Sequence, residues 1–253
     1  MAGLLPKLKE VEAALSVVRP FAAPRVELEQ YPTSAHLAAR LLFAAHGFGD
    51  VEERSVLDLG CGTGMLGLAA ELLGAAQVVG VDIDPGALRI AARNKARLFA
   101  PDEDEDEDEQ HETLEDDDET DDGADDGRGE PRSSSCLELV QADVLSQSFP
   151  LALGGRDGPA FDTVVTNPPF GTRNKGADVG FLQAGLALAR NAVYSLHKSS
   201  TRDFLQRKAT KEWGVGFAVV AELRFDIPKM YDFHKKKSAD VAVDLIRLWR
   251  KKP

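Results

Sequence analysis

The chain has 253 residues, 43% of them hydrophobic, two cysteines and a formal net charge of −12, a size that suits one domain with a full core and no apolar run long enough to cross a bilayer. The two cysteines lack metal-ligand spacing, so no metal site is expected; they fit a reducing compartment, with Cys61 a small filler. The charge is uneven: residues 101–130 hold 19 of the 42 acids and one of the 30 basic residues, leaving 29 basic and 23 acidic elsewhere, a net of +6. Periodicity predicts helices over 4–18 and 35–46, the first mixing Lys7, Lys9, Glu10 and Glu12 among leucines as a surface helix does and a secretion signal does not. There follow strand 55–59, helix 64–73, strand 77–82, helix 86–99, strand 137–142, strand 161–166, helix 178–191, strand 192–196, helix 200–213 and strands 216–225 and 240–248. Alternating strands and helices imply an α/β fold, a mostly parallel sheet covered on both faces. The last two strands, joined without a helix, predict an antiparallel hairpin at one edge. The whole chain, 1–253, reads as one domain with a helical extension over 1–50 and an acidic insertion over about 101–135. That insertion buries too little apolar surface to repay its ordering entropy and is expected as a disordered loop, either a nucleic-acid mimic or a solvated insert. Gly154-Gly155-Arg156-Asp157-Gly158 is a second, smaller loop insertion.

Strand 55–59 runs into Asp58-Leu59-Gly60-Cys61-Gly62-Thr63-Gly64, whose glycines permit positive φ and close approach to a ligand. Gly62 to Gly67 satisfies the dinucleotide spacing G-x-G-x-x-G, and Asp82 lies 20 residues beyond Gly62, where a ribose-binding acid is expected. Asp58 discriminates. A carboxylate at the tip of the first strand repels a pyrophosphate, and it attracts a ligand carrying an ammonium and a sulfonium, which S-adenosylmethionine does. Asp82 has a second reading as a helix N-cap, a task that Asp84 before Pro85 fills better. Asp143, ending strand 137–142, is either a ligand contact or a surface turn.

After strand 161–166 comes Asn167-Pro168-Pro169-Phe170. Two successive prolines stiffen the loop and aim its carbonyls. The Asn167 side chain and the Pro168 carbonyl can each accept a hydrogen bond, and Phe170 can stack on a heterocycle. Such a cradle suits a planar NH2 group; the alternative is a proline turn closing a buried strand.

Together with Leu28-Glu29-Gln30-Tyr31-Pro32-Thr33, Tyr194 to Arg202 and Phe233 to Ser238, these segments resemble a class I methyltransferase, and more narrowly the eukaryotic methyltransferase-like family that modifies adenosine N6 in small-subunit (18S) ribosomal RNA. The resemblance spans residues 28 to 248 and implies a Rossmann-like fold with a seven-stranded sheet, S-adenosylmethionine as cofactor, and residence in nucleus and cytoplasm. It implies that Gln30 and Thr33 close over the methionine end of the cofactor, that Asp58, Gly60, Gly62, Thr63 and Gly64 form its bend, that Asp82 grips the ribose and that Asp143 lies beside the adenine. It also implies a small zinc-binding activator protein as partner. Asn167, Pro168, Pro169 and Phe170 are then the catalytic segment.

His197, Lys198 and Arg202 could hold RNA phosphate where a helix opens, and Lys235, Lys236 and Lys237, near Tyr231 and Phe233, could contact single-stranded RNA; both groups also read as solvated cations. His36 and His46 read as packing or surface residues. The competing functions are a glutamine methyltransferase of release factors, a guanine-N2 methyltransferase, a dehydrogenase and a non-catalytic cofactor-binding scaffold.

Overall fold

The computed structural model describes residues 6–99, 135–146, 148–149, 153, 158–228 and 238–251. Nearly all of the acidic insertion, residues 154–157 of the second insertion and Lys235 to Lys237 lie outside the described residues. Seven strands form one sheet in the order β3-β2-β1-β4-β5-β7-β6. They are β1 Ser55–Leu59, β2 Gln77–Asp82, β3 Leu137–Gln141, β4 Phe161–Thr166, β5 Ala189–Lys198, β6 Gly216–Pro228 and β7 Ser238–Trp249. The first five are parallel, while β7 lies antiparallel between β5 and β6. The expected parallel sheet and C-terminal hairpin are therefore present.

The helices are α1 Leu8–Ala14, α2 Ala35–Gly47, α3 Met65–Leu72, α4 Pro85–Phe99, α5 Ala177–Leu188 and α6 Arg202–Arg207. Two separate apolar clusters fill the two faces, one built with Leu37, Leu41, Leu42 and Leu68, the other with Phe181, Leu182, Leu188 and Leu205. Strand β1 is buried from Val56 to Leu59, as a parallel strand covered on both sides must be, and Asp58 is its one charged residue. Ser34 caps α2, its Oγ accepting from Leu37 N at 3.2 Å. Helix α3 starts without a side-chain cap at Gly64, φ 89°, so its first N–H groups face the bend.

Several boundaries differ from the sequence expectation, the first helix being shortened to Leu8–Ala14 with a 3₁₀ turn after it. Helix α5 ends at Leu188 rather than 191, because Ala189 is already extended and pairs with Phe161 of β4. Sheet pairing overrides the helix propensity of Leu-Ala-Arg, and β5 reaches ten residues. The expected single helix 200–213 is a 3₁₀ turn at Ser199–Thr201, then α6, then a wide turn over Lys208–Glu212.

A buried polar knot ties β5, β7 and the turn after α2. Tyr194, fully buried, donates to Asp50 Oδ2 at 2.7 Å and accepts from Arg247 Nε at 2.9 Å, while Arg247 Nη2 reaches Asp50 at 2.9 Å. Tyr194→Phe deletes the hydroxyl and leaves the ion pair short of one partner, so stability should fall by about 1–2 kcal/mol. Urea unfolding should show a lower midpoint with an unchanged slope.

Candidate active site

The parallel register of β4, β1 and β2 brings three strand ends to one edge of the sheet. At the tip of β1, Gly60, Gly62 and Gly64 all have positive φ (69°, 55° and 89°), a path that side-chain-bearing residues rarely follow. The amides of Gly60 and Cys61 bond to Val81 O at 2.8 and 2.9 Å, holding the bend against β2. A Cβ at Gly62 would come within 2.8 Å of the Phe21 ring, so the chain before α2 closes directly over this bend.

Asp58 is fully buried. Its Oδ2 accepts from Gly67 N at 2.9 Å in the first turn of α3, and its Oδ1 has no partner among the described residues. Burial pushes its carboxyl up to about 7, opposed by the Gly67 hydrogen bond and aided by the nearby charge of Asp82. An orphaned carboxylate oxygen bordering a cavity is a receptor for a cation. Asp82, at the tip of β2, accepts from Gly62 N at 2.8 Å and from Asp84 N at 2.9 Å, and burial raises its carboxyl as well. Asp84 caps α4 through Gly86 N at 2.9 Å, as expected of an acid before Pro85.

These groups border a cavity of about 270 Å³, which Gln30, Thr33, Asp143 and Asn167 also line. Asn167 Nδ2 donates to Thr33 Oγ1 at 2.9 Å, which orients the carboxamide and leaves Oδ1 as the acceptor it can offer. Gln30 acts as a strut: its Oε1 accepts from Arg25 N at 2.7 Å and its Nε2 donates to Asp84 Oδ2 at 2.8 Å. Asp143 accepts from Leu145 N at 2.8 Å and so shapes its own turn. Pro169 lines the cavity and Pro168 is buried.

Phe170 is placed differently from the expected stacking face. Its ring packs edge-on against Phe225, centroids 6.1 Å apart, with Lys198 Nζ 5.5 Å from the ring centre. In this position it braces the loop. His197 also departs from expectation: its imidazole is 2% exposed, bonded to Ser195 Oγ at 2.8 Å, and burial drives its pKa down to about 3 against the pull of Asp244. A neutral, buried imidazole cannot serve as a phosphate-binding cation. Arg202 is engaged within the chain, its Nε and Nη2 forked onto Asp244 at 2.6 and 2.7 Å and Nη2 reaching Glu222 at 3.1 Å. Lys198 alone of the described trio has its head at an aromatic face of the Asn167 loop.

Four residues of the site were not singled out from sequence. Phe21 closes over the bend, and the half-exposed Ile83 and Leu145 flank the cavity. Asn94 is fully buried on α4 and reaches three backbone groups, donating to Thr63 O (2.9 Å) and Arg19 O (3.0 Å) and accepting from Arg19 N (2.9 Å). Its signal was available: a carboxamide continuing the inward stripe of Ala87 and Ala91 needs partners.

A family model described as Ribosomal protein L11 methyltransferase matches residues 33–116, which include the glycine bend and end well before Asn167. The rRNA N(6)-adenosine-methyltransferase METTL5 of Danio rerio is 42% identical over 243 residues, 95% of this chain and 98% of the relative. Its Drosophila melanogaster counterpart is 39% identical, covering 96% and 95%. Among solved structures, PH1948 from Pyrococcus horikoshii superposes with a TM-score of 0.68 at 28% identity over 98% of both chains.

The buried Asp58 gives a pH test. Its folded-state pKa lies above the ordinary carboxylate value, so its contribution to stability is full below about pH 4 and is lost as pH rises to about 7. Asp58→Asn should flatten that part of the ligand-free stability profile, read as the difference in Tm between pH 5 and pH 7.5.

Proposed function

Since the chain belongs to the METTL5 family of rRNA N(6)-adenosine methyltransferases, we propose that its acceptor is an adenosine of small-subunit (18S) ribosomal RNA, whose N6 amine Asn167 receives at the edge of the cofactor cavity. The protein is an S-adenosylmethionine-dependent RNA (adenine-N6-)-methyltransferase. The observation that carries the reading is the orientation of Asn167 by Thr33 on the rim of a cavity that holds an unpaired carboxylate oxygen.

The residues present fit the cofactor. Asp58 Oδ1 supplies the acceptor that an α-ammonium needs, the glycine bend permits close backbone approach, Asp82 stands where ribose hydroxyls are gripped, and Asp143 with Ile83 and Leu145 offers one polar and two apolar surfaces to the adenine. When bound, S-adenosylmethionine supplies a methyl group activated by its sulfonium. The chain's own work is positioning. Asn167 Oδ1 and the Pro168 carbonyl accept the two N–H bonds of the adenine amine and turn its lone pair toward the methyl carbon, so most of the acceleration comes from alignment. The amine becomes acidic once methylated and sheds its proton to water, which removes the need for a strong base.

Two rivals lose ground. The relatives matched over nearly the whole chain are named for an rRNA adenosine and not for a protein amide. A dinucleotide would set its pyrophosphate against Asp58, whose Oδ1 has no hydrogen-bond partner among the described residues. RNA contact we assign to Lys198, beside the catalytic loop, and to Lys235, Lys236 and Lys237. A small zinc-binding activator protein is the proposed partner, in nucleus and cytoplasm; co-expression with it should raise the soluble yield of this chain.

Asn167→Ala should cut methyl transfer to rRNA by about 100-fold or more while calorimetry finds cofactor affinity within about threefold of wild type, since the deleted group orients substrate. Equal losses in both would contradict the role. Cofactor affinity of the wild type should climb about tenfold per pH unit between pH 5 and about 7, as Asp58 must give up its proton to face an ammonium. A flat profile would remove Asp58 from that task. The target itself is tested by mass spectrometry of small-subunit rRNA nucleosides from cells lacking the protein, which should have lost N6-methyladenosine.

A further inference from the structure

The segment that closes over the cavity meets the catalytic loop at two places. One is the Asn167–Thr33 bond. The other is Glu29, whose Oε2 accepts from Thr172 Oγ1 at 2.7 Å and whose Oε1 accepts from Arg173 N at 2.8 Å. Thr172 and Arg173 belong to the same loop as Asn167, running from β4 to α5. Glu29 stands in the left-handed region, φ 51° and ψ 40°, directly after the 3₁₀ turn Val26–Leu28. A side-chain-bearing residue holds that conformation only when its surroundings demand it. Here the demand comes from both sides: Leu28, Gln30, Tyr31, Thr33 and Glu29 itself line the cavity, and the Glu29 carboxylate grips the loop.

We propose that Glu29 is a positioning residue that couples the cofactor cavity to the acceptor loop, so that cofactor and RNA bind cooperatively. The proposal rests on the reading of the cavity as the cofactor site and of the Asn167 loop as the amine site. A ligand in the cavity touches the strap on either side of Glu29 and holds its backbone in place. The carboxylate then presents two fixed acceptors to Thr172 and Arg173, and the loop that carries Asn167 is ordered before RNA arrives. RNA bound to that loop holds the strap closed in return, because a coupling free energy acts equally in both directions.

The test is the affinity for S-adenosylhomocysteine, measured by calorimetry with and without a saturating small-subunit rRNA fragment that the wild type methylates. RNA should tighten binding about tenfold in the wild type, within the usual range of such couplings. Glu29→Gly removes both bonds while suiting the left-handed backbone; the coupling, read as the ratio of affinities with and without RNA, should fall below about twofold whatever each ligand's affinity alone. Glu29→Gln can accept from Arg173 N–H and donate to the Thr172 hydroxyl, so it should restore the coupling. Thr172→Val breaks one bond from the far side, leaves the strap unaltered and should give an intermediate value. A wild type that methylates RNA without coupling, or a Glu29→Gly protein that keeps the tenfold effect, overturns the clasp and leaves the amine-site reading intact. Failure of that reading shows separately, as undiminished transfer by Asn167→Ala.

Discussion

The hydroxyl of Thr166 donates to the carbonyl of Leu59 at 2.7 Å, joining the last residue of β4 to the last residue of β1. That bond and the parallel register behind it set the offset between the glycine bend and Asn167, the two halves of the site. Neither half is informative about distance by itself. A bend of alternating left-handed glycines can lie anywhere along a sheet edge, and a proline-stiffened loop can close any strand. Here the ladder pairs Leu59 with Thr166, so Gly60 and Asn167 leave neighbouring strands at the same level. Open α/β sheets bind ligands at such carboxyl ends, where the chain diverges and leaves a crevice.

Electrostatics gives that crevice its selectivity. Asp58 and Asp82 both lie behind the bend, both are raised by burial, and the charge of Asp82 adds to the cost of ionising Asp58. Hydrogen bonds from Gly67, Gly62 and Asp84 cover three of their four oxygens, leaving Asp58 Oδ1 uncompensated. A buried carboxylate oxygen without a donor is costly, and sites that retain one do so for a ligand that completes it. The same arrangement turns anionic cofactors away. Outside the acidic insertion the chain is net basic, so the acids of the cavity are a local inversion within a surface suited to RNA.

Much of this was legible in the residues because the informative features are local. Strand–helix alternation, the positive-φ glycines, the acid before Pro85 and the double proline each fix their own backbone, and the parallel sheet then brings them to one edge. What was missed depends on distant partners. Helix α5 stops at Leu188 because Phe161 pairs with Ala189, a contact 28 residues away that propensity does not encode. Arg202 looked like a phosphate ligand until Asp244, 42 residues on, took both arms of its fork. His197 has basic neighbours in sequence but lies on a strand buried on both faces, where Ser195 shares its side and a hydrogen bond with it. Residue type suggested a cation; strand position made it a neutral core group.

The segment before α2 shows how unspecialised chain becomes part of a site. Residues 19–33 contain only short 3₁₀ structure, and nothing in their pattern predicts a fixed path. Their order comes from side chains of the folded body: Asn94 clamps Arg19, Asp84 takes Gln30, Asn167 takes Thr33, and Thr172 and Arg173 take Glu29. The four anchors sit on three elements, so the strap samples α4, the tip of β2 and the Asn167 loop together. A roof built in this way cannot shift over the cavity without disturbing the loop that presents Asn167. The enzyme thus gains a path from cofactor to acceptor through four hydrogen-bonded anchors, with no rearrangement of the sheet beneath.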